Sequence, residues 1–144
     1  MTLSVKICQA LARALEASGV DSTVQDSFTI TDNEAYVSRV VCIPSSATQR
    51  KTIRGVYDVS GEIITLTSVD ADNAIANHLR LCDSIRDLVG DTEACSANIM
   101  AQDSTIHIYN RSWHLDEMED DAGNRGFKAT FSWRAVARDT LNNN

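Results

Sequence analysis

Proline is nearly absent from this chain of 144 residues: Pro44 stands alone, and no low-complexity tract accompanies it. Nothing therefore reads as a linker, and one domain is expected over residues 1–140, followed by a frayed tail from Leu141 to Asn144. The four cysteines, Cys8, Cys42, Cys82 and Cys95, include no CxxC pair. The first three sit among apolar residues as small hydrophobes, and the set is expected to be reduced, as in an intracellular protein. No span approaches the roughly 20 apolar residues of a membrane helix, and no apolar run follows a basic start, so a soluble, unprocessed chain is expected. Neither GxxxxGK nor GxGxxG occurs, Ser60-Gly61 lacks the flanking glycine of a nucleophile elbow, and no cysteine has a histidine in a known local signature. Catalysis is not expected. Cations are scarce as well: thirteen Lys and Arg against twenty Asp and Glu leave a formal charge of −7 and a pI near 4.8. That balance disfavours an extensive phosphate-gripping surface.

What is present is strong periodicity. At 43% hydrophobic content a chain of this size can bury roughly two-thirds of its unfolded surface. The clearest signal is Phe127 to Arg138, where Phe127, Ala129, Phe131, Trp133, Ala135 and Ala137 alternate with Lys128, Thr130, Ser132, Arg134 and Arg138, as in a strand with one buried face. Thr105 to Leu115 alternates less cleanly: Ile106 and Ile108 fall on one face, Tyr109, Trp113 and Leu115 on the other, so both faces want cover. Between these two strands an acidic turn is expected from Asp116 to Gly126.

Earlier, Leu3, Ile7, Ala10, Leu11, Ala14 and Leu15 recur at helical spacing, with Thr2 and Gly19 as caps. Strands are expected at Phe28 to Thr31 and Tyr36 to Ile43, the second apolar on both faces, as a central strand would be. Ile53 to Thr67 is β-prone, with Ser60-Gly61 as either a turn or a bulge. A helix begins near Asp72, carries Ile75, Leu79, Cys82, Ile85 and Val89 as its stripe and ends at Gly90. Asp91 to Asp103 shows little periodicity and reads as loop, with a short strand at Ile99 and Met100 as the one regular element it could hold. The pattern is α+β: a single domain whose mixed, mostly antiparallel sheet carries two helices on one face.

Asp116, Glu117, Glu119, Asp120 and Asp121 are oxygen ligands in number enough for a hard cation, but the calcium-loop spacing is missing, and a solvated or partner-facing loop is the simpler reading. His107 and His114 are seven apart, which on one regular strand points them to opposite faces. His78 lies on the margin of its helix, where a hydrogen-bonded structural histidine is the common case. Arg50, Lys51, Arg54 and the cations of the last strand lack the interleaved aromatics of a nucleic-acid track. Tyr109 and Trp113 are expected on an uncovered sheet face, where an aromatic patch marks an interface.

The order of elements and the segment SWHLDEMEDDAGNRGFKATFSWRAVARD resemble the tail terminator (tail completion) proteins of long-tailed bacteriophages, over about Ile53 to Asp139 and in the position of the N-terminal helix. The likeness departs at Val20 to Pro44, where relatives place a proline ahead of the first long strand. The resemblance implies a virion protein of the tail neck, assembled in the host cytoplasm, that forms a homo-oligomeric ring, typically a hexamer. Such a ring caps the tail tube protein, stops its polymerisation and joins the head-tail connector or stopper protein, while DNA passes through without specific binding. It implies no catalytic residue, cofactor, metal or membrane. The interface residues expected are Asp116, Glu117, Glu119, Asp120, Asp121, Tyr109 and Trp113. Another connector or minor tail protein is the nearest alternative, and a small metal-dependent or ligand-binding enzyme the alternative of a different class.

Overall fold

The structure, a computed structural model, describes residues 2–25, 38–50, 53–68, 72–121 and 126–141, with the backbone alone at 38 and 119–121. These residues form α1 (Leu3–Ala17), β1 (Thr23–Val24), β2 (Ser38–Gln49), β3 (Val56–Ser68), α2 (Ala74–Val89), α3 (Thr92–Gln102), β4 (Ile106–Ile108), β5 (His114–Asp121) and β6 (Gly126–Asp139). The fold is α+β, and the sheet runs β1-β2-β3-β6-β4, with β5 also on β6. β1 is parallel to β2 and every other pairing is antiparallel. The expected strand Phe28 to Thr31 lies outside the described residues.

β6 is the axis of the sheet. Along one edge it pairs with β3 from Val56↔Arg138 to Ser68↔Gly126. Along the other it pairs with β5 from His114↔Arg134 to Asp121↔Phe127, and then with β4 from Ile106↔Asp139 to Ile108↔Ala137. Its odd-numbered side chains face the helices: Ala129, Phe131, Trp133, Ala135 and Ala137 are buried, as the alternation requires. Opposite them stand Thr65, Ile63, Gly61, Val59 and Tyr57 of β3.

Ser60-Gly61 resolves as the interior of one long strand, and the irregularity falls across from it, between Pro44 and Ser46 of β2. Proline has no N–H for the ladder, so a bulge there costs little pairing. Gly61 is required by a side chain: a Cβ would meet Trp133 Cε2 at 2.7 Å and the Ile43 carbonyl oxygen at 2.8 Å. The Trp133 ring cannot yield, because it stacks on Trp113 with centroids 5.3 Å apart and planes 11° from parallel. Trp113 Nε1 in turn donates to the Val89 carbonyl at 2.9 Å, tying the stack to the end of α2.

The helices cover this face. α1 buries Leu3, Ile7, Cys8, Ala10, Leu11, Ala14 and Leu15, each large side chain contributing about 1.5–3 kcal/mol of apolar burial. Thr2 caps it by accepting from Val5 N. The expected stripe of α2 is corrected in its first half: Cys82, Ile85 and Val89 are buried with His78 and Leu81, but Ile75 and Leu79 stand 62% and 50% exposed. The helix is rolled so that His78 lies against Phe127, ring centroids 5.6 Å apart. A second correction is α3, in the stretch expected to be loop, which makes three helices among the described residues. Asp91 caps it by accepting from Ala94 N at 2.9 Å, and its buried set is only Cys95, Ser96 and Ile99.

At the far end Lys6 Nζ donates to Asp139 Oδ2 at 3.0 Å and to Thr105 Oγ1 at 2.6 Å. The Thr105 hydroxyl donates onward to Asp103 Oδ1 at 2.6 Å, so α1, α3, β4 and β6 close on one polar chain. That hydroxyl is the main cause holding the Asp103 carboxyl below its ordinary value. On the opposite face of the sheet Val41, Ile43 and Ile64 form a small second cluster, so β2 is covered on both faces as a central strand.

The Gly61–Trp133 contact makes a prediction. Gly61→Ala should cost about 1–3 kcal/mol of unfolding free energy in urea titration, the cost of overpacking a site that cannot shift. A change within about 0.5 kcal/mol, the range of ordinary surface substitutions, would show that the tryptophan stack is free to move.

Candidate functional site

The residues expected to form an acidic turn are part of a strand. Asp116 to Asp121 belong to β5, paired throughout with β6, and any turn lies beyond Asp121, outside the described residues. The strand expected at Thr105 to Leu115 is correspondingly broken. Tyr109 N donates to the Val136 carbonyl at 2.9 Å, and the chain then turns through Arg111, which has φ +61°. The Ser112 hydroxyl donates to the Tyr109 carbonyl at 2.6 Å, fixing the turn.

That excursion shifts the register on β6. His107 stands opposite Arg138 and His114 opposite Arg134, an even separation on β6, so the two histidines share one face rather than opposite ones. It also puts Trp113 into the core at 1% exposure, which corrects the expectation of a solvent-facing aromatic. Tyr109 is half-buried, its ring edge-on to His107 with centroids 5.0 Å apart.

The carboxylates divide. Glu117 faces α2, where Arg86 Nε donates to its Oε2 at 2.7 Å and Arg86 Nη2 to its Oε1. Arg86 Nη1 also holds Asp83 at 2.7 Å. The Arg86 hydrogen bonds are the main cause of the fall in the Glu117 carboxyl pKa and of the rise in that of the guanidinium. Glu117 is therefore a clasp between α2 and β5. Asp116 lies exposed across from Ser132 on the other face. Glu119, Asp120 and Asp121 stand in the backbone register opposite Ala129, Lys128 and Phe127. Among the described residues no three His, Cys, Asp or Glu side chains gather as a metal site would need.

All four cysteines are buried and free. Burial pushes the Cys42 thiol up to about 12 and raises those of Cys8 and Cys95 further, which suppresses the nucleophilic thiolate. His78 Nε2 lies 3.7 Å from Cys82 Sγ one turn along α2, with the imidazole buried beneath the helix.

Among the described residues a concavity lies on the face away from the helices, at the side chains of β2, β3, β5 and β6. A groove of about 450 Å³ is lined by Ser46, Thr48, Arg50, Asp58, Ser60, Ser112, His114 and Arg134, among others. A smaller depression of about 290 Å³ adjoins it at Glu62, Asp116 and Ser132. Sequence periodicity placed Arg134 on the polar face of its strand, but its neighbours there depend on pairings and on the Tyr109–Trp113 turn. No pattern within one segment signals them.

Set against models of known protein families the chain matches none, and no curated protein matches it significantly. No helix among the described residues is long and apolar enough to cross a membrane.

The Glu117 clasp has a defined acid response. A carboxyl whose folded pKa lies below its unfolded value stabilises the fold above the unfolded value and loses that contribution as pH falls through the folded one. The ordinary value for Glu117 is 4.5. Arg86→Gln should therefore lower stability at about pH 6, and the difference should shrink as pH falls below 4.5, so the two unfolding curves converge on acidification. A constant offset between variant and parent in urea titrations across that range would contradict the assignment.

Proposed function

We propose that this chain is a structural subunit of a phage tail, of the tail terminator type, which assembles with copies of itself into a ring on the end of the tail tube. The observation that carries the reading is the outer edge of β5. Eight residues, His114 to Asp121, hydrogen-bond to β6 alone among the described strands, leaving a row of backbone donors and acceptors at the margin of the sheet. Exposed apolar side chains occur on β5 and on the helix that Arg86 clasps to it: Met118 at 60% on the face away from the helices, and Ile75 and Leu79 on α2.

A free edge of this length is a template for strand addition, and the side chains beside it offer apolar area to a neighbouring surface. The carboxylates along it select the partner. Acidic residues on an edge strand repel an identical acidic edge, so pairing is head-to-tail, acidic edge to a different surface of the next copy. Repetition of such a heterologous contact closes a ring when the rotation between copies divides a full turn. In this reading the domain works by shape and charge, and the neck of the virion tail is where it acts.

The test is assembly state. Light-scattering mass and electron microscopy of the purified protein, alone and with tail tube protein, should show a closed ring several times the 15.8 kDa of one chain. Met118→Glu combined with Leu79→Glu should weaken assembly by about tenfold or more while the circular dichroism of the fold is kept. A monomer at every concentration and in both settings would contradict the proposal.

A further inference from the structure

The groove on the face away from the helices has a chemistry that the ring reading does not use. The register aligns His114, Arg134, Ser60 and Ser46 in one row across β5, β6, β3 and β2. Arg134 and His114 are both exposed, and neither side chain makes a hydrogen bond or an ion pair with any described residue. The Ser46 and Ser60 hydroxyls lie 2.9 Å apart; one proton joins them and the other is left to donate into the groove. The one carboxylate in the lining, Asp58, is already held by Arg50 through Nε at 3.1 Å and Nη2 at 3.0 Å. The groove lining therefore carries one cation not held within it, Arg134, in a chain of net charge −7, and Arg134 and Ser60 also border the adjoining depression that holds Glu62 and Asp116.

We infer that this groove binds a single phosphoryl group, with Arg134 as its principal donor, His114 beside it and the Ser46–Ser60 pair across from it. The donors stand on one face of adjacent strands, His114, Arg134 and Ser60 in successive positions of one row about 5 Å apart. That suits a tetrahedral group with three acceptor oxygens better than a planar carboxylate with two. A guanidinium free of internal partners keeps its full fork for the ligand. The neighbouring row, Asp116, Ser132 and Glu62, lies about 7 Å along the strands, and its two carboxylates repel a second phosphate. Those carboxylates limit the site to one group and exclude a nucleic-acid backbone. The bulge between Pro44 and Ser46 and the volume of about 450 Å³ leave space for the small organic body of a phosphomonoester.

The experiment is calorimetric titration of the full chain at fixed ionic strength with inorganic phosphate, methyl phosphate, acetate and a short single-stranded oligonucleotide. Phosphate and methyl phosphate should saturate with dissociation constants on the order of a millimolar. Arg134→Gln should weaken them by about tenfold or more, while Arg80→Gln, on the exposed side of α2, leaves them unchanged. Both substitutions are on the surface, and unchanged thermal unfolding will show that the fold is kept. Absence of saturable binding by either phosphate would overturn the inference. So would an Arg134→Gln variant that binds like the parent, acetate binding as tightly as phosphate, or the oligonucleotide binding more tightly than methyl phosphate. Ring formation is read separately from mass, so failure here does not touch the assembly proposal.

Discussion

One strand bonded along both edges is the constraint from which the rest follows. β6 pairs with β3 from Gly126 to Arg138, and on its other edge with β5 from Phe127 to Arg134 and with β4 from Ala137 to Asp139. Such a strand cannot slip by a residue without turning Phe131 and Trp133 out of the core and Arg134 into it. The Trp113–Trp133 stack fixes the same register from the side-chain layer, and Gly61 permits it by having no Cβ. The interruption at Tyr109 to Trp113 is part of this arrangement: two edge segments with different phases meet on one continuous partner, and the turn between them absorbs the difference.

That phase change explains where the sequence was legible. Period two in Phe127 to Arg138 and the helical spacing in Leu3 to Leu15 report burial directly, and both elements are found where the pattern puts them. In Thr105 to Leu115 the same rule reads Ile106 and Ile108 on one face against Trp113 and Leu115 on the other. The turn reverses the alternation, and Ile106, Ile108 and Trp113 all enter one core. Charge misled in the next stretch: Asp116 to Asp121 has the composition of a turn, and the bonds to β6 override it. α3 was hidden because its buried set is narrow, and Ile75 and Leu79 were misassigned because helical spacing leaves open which way the helix is rolled. Neither the Arg86–Glu117 clasp nor the row from His114 to Ser46 is visible in any single segment, since each depends on how separate elements register.

The two faces of the sheet divide the work. The helical side is a core whose polar contacts are internal: Lys6 with Asp139 and Thr105, Arg86 with Glu117, Trp113 with the Val89 carbonyl. The far side holds the concavity, and the margin between them is the acidic edge of β5. The assembly we propose would use such a margin, whose backbone groups pair with no further described strand and whose charge tells one partner from another. Both features depend on β5 being a strand, and so on the second edge of β6.

Residue-resolved hydrogen–deuterium exchange of the native protein tests that dependence most directly. If β6 is bonded on both edges, its amides from Phe127 to Arg134 will exchange slowly, those directed at β5 as slowly as those directed at β3. Slow exchange at every second amide alone, with those facing β5 exchanging like an exposed loop, would mean that β5 is not held on the sheet and would contradict the account.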